Sequence, residues 1–137
     1  MSNHTFRRSP MGTLLTAVAV TLSMTTACIH LSLGSILFTL NAAGYLGLAV
    51  LVIIGAAVPH PIVARFAWLP DVGLAGYAAV TIASYLIVGP YFALGWIAKG
   101  VEIALIGVVA ADLLGMYGSP ASVIRAARAS LELERRT

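Results

Sequence analysis

Charged residues are missing from a long first part of the chain. No Asp, Glu, Lys or Arg occurs between positions 11 and 64. One membrane-spanning helix needs about 20 predominantly apolar residues. A stretch of this length therefore predicts two spans, which we place at about 13–33 and 36–58, joined by a turn at Leu33-Gly34-Ser35.

The same apolar pattern returns after an interruption by proline. Pro59-His60-Pro61 ends the second span, because proline lacks a backbone donor and restricts the residue before it. A third span is predicted at about 71–89, with Asp71 as its helix cap. A fourth follows at about 94–117. The sequence thus predicts an all-α polytopic membrane protein, with a four-helix transmembrane bundle over residues 1–118.

The residues after the bundle have a different character. Ser119 and Pro120 form a typical helix start, and Ala121 to Arg136 alternate apolar and charged positions with helical period. We interpret residues 119–137 as a short amphipathic cytoplasmic tail that rests on the membrane surface. Docking to a partner protein is the alternative.

Composition narrows the class of protein. Hydrophobic residues make up 60% and charged residues 9% of the chain, against about 25% charged in soluble domains. The net charge of +3 does not indicate nucleic-acid binding, because the arginines cluster at the chain ends without interleaved aromatics. We find no metal-ligand spacing and no nucleophile–base pattern. We therefore expect no cofactor, no metal and no enzymatic activity.

The N-terminal segment allows two interpretations. Arg7 and Arg8 precede an apolar stretch that contains Cys28, which is the pattern of a lipoprotein signal. Thr25 stands three residues before Cys28, where such a signal normally has Leu, and the sequence stays apolar afterwards. We favour the interpretation that the arginines anchor the first span on its cytoplasmic side.

Orientation follows from the distribution of basic residues, which are enriched in short cytoplasmic connections. With the N-terminus inside, seven of the eight basic residues are cytoplasmic, and Lys99 alone lies toward the outside. The seven are Arg7, Arg8, Arg65, Arg125, Arg128, Arg135 and Arg136. We expect a multi-pass protein of the cytoplasmic (inner) membrane, with both termini cytoplasmic.

Lys99 and Glu102 are the only charged residues between Asp71 and Asp112. A charge at the centre of a spanning helix costs about 3 kcal/mol on insertion scales. Two opposite charges one turn apart therefore predict an ion pair that faces the bundle interior or an aqueous edge. The plainer alternatives are a structural pair, or a Lys99 that extends to the membrane surface.

Polar residues of all four predicted spans fall at one depth. Spans one and three run outward and spans two and four run inward, so these residues should meet in an outer layer. Each has an ordinary packing role as its alternative, such as interhelical hydrogen bonding by Asn41. The candidate binding residues are His30, Asn41, Tyr45, Thr81, Ser84, Lys99 and Glu102.

The fourth span also carries small residues with helical spacing. Gly100, Ala104, Gly107 and Ala111 form a stripe nearly opposite Glu102 on the helix. Such stripes let another helix approach closely. We interpret this small-residue stripe as a candidate association surface for a partner membrane protein or a second copy. The alternative is that small residues are simply frequent in this chain.

Four segments together resemble a known group of proteins. The segments are His30–Gly34, Phe38–Leu46, Tyr77–Ile82 and Leu94–Ile103. They are similar to small prokaryotic four-span integral membrane proteins of unknown function, over about positions 13–114. The last segment of that group reads Leu-Gly-aromatic-x-Asp-Lys-x-x-Glu, and Ala98 replaces the Asp here. The resemblance implies the four-span fold and supports the polar layer, but it implies no activity.

Two functions are consistent with these patterns. The first is a non-enzymatic accessory or structural subunit of a membrane complex, which the small size and the stripe favour. The second is a carrier or binding protein for a small polar solute or proton, using the polar layer around Glu102. The expected partners are the lipid bilayer and a second membrane protein or copy, and not nucleic acid.

The topology is directly testable. After replacement of the native Cys28, a cysteine at Tyr91 should react with an impermeant thiol reagent added to intact cells. A cysteine at Arg65 should react only after the cells are opened, because the positive residues hold that connection inside. Labelling at Arg65 in intact cells would overturn the predicted orientation.

Overall fold

The computed structural model describes residues 8–132, and every regular element in that range is helical. The tail residues 133–137, and with them Arg135 and Arg136, lie outside the described range, as does Arg7. The helices are α1 (Pro10–Ser32), α2 (Ile36–Ala57), α3 (Pro61–Arg65), α4 (Trp68–Val88), α5 (Ala93–Tyr117) and α6 (Pro120–Glu132).

The turn between α1 and α2 is built from local chemistry. Gly34 adopts a φ of 71°, a left-handed conformation that glycine reaches without steric cost. Ser35 then caps α2, and its hydroxyl accepts a hydrogen bond from the Phe38 amide at 3.4 Å. At the other end of α1, Ser9 caps the helix and Pro10 occupies its first position. α1 and α2 therefore pack against each other and are joined by a very short connection.

The start of α4 differs from the expectation. The helix begins at Trp68, with Ala67 at the cap position and no side-chain cap hydrogen bond. The prediction that Asp71 caps this helix is therefore wrong, and Asp71 lies within the first turn. Its 2% exposed side chain is turned into the protein instead.

Four long helices pack as a ring. α1 contacts α2 and α5, and α4 contacts the same two helices from the opposite side; the α2–α4 contact is the loosest of the four. The core combines alanines, which permit close approach of the helices, with a few large side chains. Tyr45, Leu74, Leu105 and Val109 are completely buried within it.

Large apolar side chains cover the outside of the bundle. Ile36, Leu37, Ile87 and Val88 are all more than 70% exposed. Apolar surface on this scale marks contact with a membrane or a partner. Three helices, α1, α2 and α4, are long and apolar enough to cross a membrane, which indicates a membrane protein. The further helix of the ring, α5, carries Lys99, Glu102 and Asp112 on its buried side.

Candidate functional site

Glu102 lies at the centre of the polar groups near one end of the bundle, which we call the Glu102 end. Its side chain is 0% exposed. Lys99, one turn earlier on α5, donates a hydrogen bond from Nζ to Oε2 of Glu102. Lys99 itself is only 5% exposed, so its ammonium group stays with the carboxylate and does not reach the surface. The structure thus contains the ion pair that the spacing predicts.

Two further helices donate hydrogen bonds to the same carboxylate. The Thr26 hydroxyl of α1 lies 3.2 Å from Oε1, and the Thr81 hydroxyl of α4 lies 2.9 Å from Oε2. His30 Nε2 lies 3.8 Å from Oε1, which is too far for a hydrogen bond but close enough for an electrostatic contact. Each carboxylate oxygen therefore has a donor, as a buried charge requires.

α2 joins this network through Tyr45. Its hydroxyl lies 2.8 Å from the Thr81 hydroxyl, and its ring packs edge-on against Tyr77 with centroids 4.9 Å apart. Gly44 makes room for Tyr77, because a Cβ at that position would lie 2.5 Å from Cζ of the ring. All four long helices are thus linked at the Glu102 end.

His30 is oriented by the backbone of its own helix. Its Nδ1 lies 2.8 Å from the carbonyl oxygen of Thr26, and a carbonyl only accepts, so Nδ1 carries the proton. Nε2 is left facing Glu102 and the space beside it. The rings of Phe38 and Tyr45 lie nearby, each with its centroid 5.9 Å from that of His30.

A cavity of about 550 Å³ opens above this network. Most of its wall is apolar, and the polar groups are few. The lining polar side chains are His30, Asn41, Tyr77, Thr81, Ser84, Tyr85 and Lys99. Glu102 is not among the lining residues, whereas its hydrogen-bond partners Lys99 and Thr81 are.

The exposure of several lining residues indicates that the cavity opens sideways, between α2 and α4. Leu37 and Leu40 of α2 and Val80 and Val88 of α4 line it, and all four are more than 60% exposed. These residues flank the loose α2–α4 contact. The opening therefore lies in the same apolar surface that covers the rest of the bundle.

Tyr85 fixes the position of Lys99 at the cavity wall. The ammonium group lies 5.6 Å from the centre of the Tyr85 ring, within the range of a cation–π contact. The Tyr85 hydroxyl lies 3.2 Å from both the amide and the carbonyl of Phe92, at the start of α5. Gly95 accommodates the ring, since a Cβ there would lie 2.5 Å from the hydroxyl oxygen.

The predicted binding residues fall into two groups. His30, Tyr45, Thr81 and Lys99 join Glu102 in one connected network. Asn41 and Ser84 line the cavity, and no side-chain hydrogen bond joins either to the network among the described residues. Sequence reasoning missed Thr26, which lies four residues before His30 and therefore on the same side of α1.

A second buried ionic cluster was also missed. Arg8, Asp71 and Asp112 meet at the opposite end of the bundle, which we call the Asp112 end. The sequence could have indicated this cluster. Arg8, Asp71 and Asp112 lie at the start of the first span, the start of the third and the end of the fourth, which share one depth in the membrane. The sequence pattern around Arg8 indicates only a membrane anchor, which leaves its pairing with the two carboxylates unpredicted.

The small-residue stripe lies on the outer face of α5. Gly100, Ala104, Gly107 and Ala111 are all exposed. A Cβ added at Gly100 or Gly107 would meet no described atom within 4 Å. The stripe is therefore not used for packing between the described helices.

Comparison with known proteins assigns no relative. The chain matches no protein-family model, and searches of curated proteins and of solved structures find no match.

The coupling of Lys99 and Glu102 is measurable by a double-mutant cycle. Glu102→Ala leaves a buried ammonium unpaired, and Lys99→Ala leaves a buried carboxylate unpaired; each should cost about 3–5 kcal/mol. The double variant should cost less than either single change, because no uncompensated charge remains. Thermal unfolding of the purified protein in mild detergent measures all three.

Ile103→Ala provides the matched control. Ile103 lies on the same helix but is 61% exposed, so its truncation should leave the unfolding midpoint nearly unchanged. Strictly additive effects of the two single changes would mean that the side chains do not interact.

Proposed function

We propose that the protein is a non-enzymatic membrane protein of four spans, which binds a small amphiphilic molecule in the cavity at the Glu102 end. The observation that carries the proposal is the cavity itself, which is apolar along most of its wall and ends on a few oriented polar groups. This is the usual construction of a small-molecule site. The cavity therefore raises the binding alternative above the accessory-subunit hypothesis that the sequence favoured.

The proposal treats α5 as the fourth span. Its 25 residues extend about 37 Å at 1.5 Å per residue, enough for a hydrocarbon core of about 30 Å. Its three charged residues, Lys99, Glu102 and Asp112, are each at most 5% exposed. The side that faces away from the bundle is apolar and includes Ile97 and Ile103. Lipid would therefore meet no charge on this helix.

The size of the cavity supports binding of a whole small molecule. Its volume of about 550 Å³ lies within the range of about 300–1,000 Å³ that is typical of ligand sites. Rings and aliphatic side chains, including Phe38, Tyr77 and Phe92, would cover the apolar part of such a ligand. The apolar wall favours a lipid-like body over a fully polar solute.

The polar side chains of the cavity would bind the polar end of the ligand. Lys99 has three ammonium hydrogens and uses one for Glu102, and Asn41 brings a side-chain amide to the same cavity. These donors suit an oxygen-bearing head group, such as a carbonyl, hydroxyl or carboxylate. Glu102 acts as a positioning residue, since it holds Lys99 and Thr81 from behind without contacting the ligand.

The route of entry fits an amphiphile from the bilayer. The lateral opening lies between exposed apolar residues of α2 and α4, where acyl chains would contact the protein. With both termini cytoplasmic in the inner membrane, the Glu102 end lies in the outer leaflet. The ligand would therefore come from that leaflet, head group toward Lys99.

Blocking the cavity tests the proposal. The protein purified in mild detergent should carry a lipid-like molecule, detected as a bound mass by native mass spectrometry and identified after extraction. Ser84→Trp should fill the mouth of the cavity and reduce the bound fraction at least about tenfold, equivalent to 1.4 kcal/mol. The unfolding midpoint should change little, because Ser84 is exposed and unbonded to the network.

Ala83→Trp is the matched control for this experiment. Ala83 is the exposed neighbour of Ser84 and does not line the cavity. Its variant should keep the bound molecule. Equal retention by both variants, or the absence of any bound molecule from the native protein, would overturn the proposal.

A second function, as an accessory subunit, is supported by the small-residue stripe. The stripe is exposed from Gly100 to Ala111 and leaves space for a neighbouring backbone. Membrane helices have little hydrophobic drive to associate, so close backbone contact is a main source of affinity. Binding a ligand and packing against another membrane protein use opposite faces of α5 and are compatible.

Gly107→Leu tests association. The larger side chain should dissociate an assembly built on the stripe, with a shift to smaller size in mild detergent, and leave the bound mass in the cavity unchanged. Gly76→Leu on α4 is the matched control, because Gly76 is also exposed with no atom within 4 Å of an added Cβ. A native protein that is monomeric, or an assembly unaffected by Gly107→Leu, would remove the accessory-subunit function.

A further inference from the structure

Three distant parts of the chain meet at the Asp112 end. Arg8 precedes α1, Asp71 lies in the first turn of α4, and Asp112 lies near the end of α5. Their side chains are 8%, 2% and 3% exposed. The cluster is thus a buried ionic site, separate from the cavity and unused by the proposed ligand binding.

The charges in this cluster do not balance among the described residues. Arg8 donates a hydrogen bond from one terminal nitrogen to Oδ2 of Asp112 at 2.5 Å, and it also donates to the Thr16 hydroxyl. Its other terminal nitrogen is 3.8 Å from Oδ2 of Asp71, beyond hydrogen-bond distance. One guanidinium therefore serves Asp112, and a second carboxylate remains beside it.

Asp71 supplies an independent indication of a missing partner. Its Oδ2 is buried and receives no hydrogen bond from any described residue. A buried carboxylate without donors is strongly unfavourable, and such groups normally become neutral. Two carboxyl groups that share one site commonly hold one proton between them.

We propose that Asp71 and Asp112 form a proton-binding site in which Asp71 holds the proton. The occupied site contains neutral Asp71, positive Arg8 and negative Asp112, so its net charge is zero. Releasing the proton would leave two buried carboxylates against one guanidinium. Proton binding should therefore stabilise the folded protein.

The neighbouring elements add no second cation among the described residues. From α3, Arg65 donates to the backbone carbonyl of Ser130 instead. On α6, the charged side chains of Arg125 and Arg128 are exposed, as is that of Glu132. Tyr117, at the end of α5, lies at the same end of the bundle as the cluster. This phenol and the Thr16 hydroxyl complete the polar surroundings.

The site is separated from the Glu102 network along α5. Leu105 and Val109 lie between Glu102 and Asp112 on the buried side of the helix, and both are 0% exposed. A proton on Asp71 therefore exchanges at the Asp112 end. The proposal is independent of what the cavity binds.

Infrared difference spectroscopy tests the site, because a protonated carboxylic acid has a carbonyl stretching band that a carboxylate lacks. At neutral pH the native protein should show one buried carboxylic-acid band that disappears when the pH is raised. Asp71→Asn, which mimics the neutral acid, should abolish the band and keep the protein folded. Glu132→Gln removes an exposed acid of α6 instead and should leave the band in place.

Several outcomes would overturn the proposal. These are a native protein without the band, a band that survives in Asp71→Asn, and a band that is lost in Glu132→Gln. If Asp71→Asn folds poorly, the pH dependence of the native protein's unfolding midpoint gives a second measurement. The native midpoint should fall as the pH rises through neutrality, since the folded state then loses its extra proton. A midpoint that rises or stays constant would also overturn the proposal.

Discussion

The arrangement of the four long helices depends on one buried negative charge, the carboxylate of Glu102, which contacts neither water nor lipid. Glu102 is completely buried in a bundle whose core is otherwise largely apolar. Each of the other long helices contributes a polar side chain to the network around this carboxylate. Lys99 comes from the same helix, Thr26 and His30 from α1, Thr81 from α4 and, through Thr81, Tyr45 from α2. Apolar side chains fit together in several registers, whereas these bonds form only when the four helices have the right depth and rotation. We therefore expect the network to favour one arrangement of the four helices over the others.

Much of the helical framework was predictable because it depends on patterns that are local in the sequence. Long apolar stretches, prolines and the Leu33-Gly34-Ser35 turn locate α1 and α2 closely, and the spacing of Lys99 and Glu102 predicts their pairing. The start of α4 was predicted less well, since Asp71 is a typical cap residue and its true partners lie elsewhere. A local preference was overridden there by a tertiary contact.

The sequence predicted the membrane depth of the site residues, but not the rotation of each helix about its own axis. Helical spacing placed polar residues of every long helix in one layer, yet adjacent residues on a helix point about 100° apart, and small errors in rotation change the contacts. This explains why Thr26 was missed although His30, four residues later on the same helix, was among the predicted residues. It also explains why Asn41 and Ser84 line a cavity without joining the network. The Arg8 cluster was missed for another reason, because basic residues before a span already have a sufficient explanation in membrane orientation.

The two ionic clusters differ in how their partners are ordered along the chain, and this has a consequence for biosynthesis. Chains are made from the N-terminus, and their parts become available in that order. Lys99 and Glu102 are neighbours on one helical turn, so α5 reaches its companions with the charge already compensated. Arg8, by contrast, is synthesised long before Asp71 and Asp112 and has to remain near the start of α1 until both arrive. Closure of the Asp112 end therefore follows the synthesis of α5, and it joins the first described residues to the last of the four long helices.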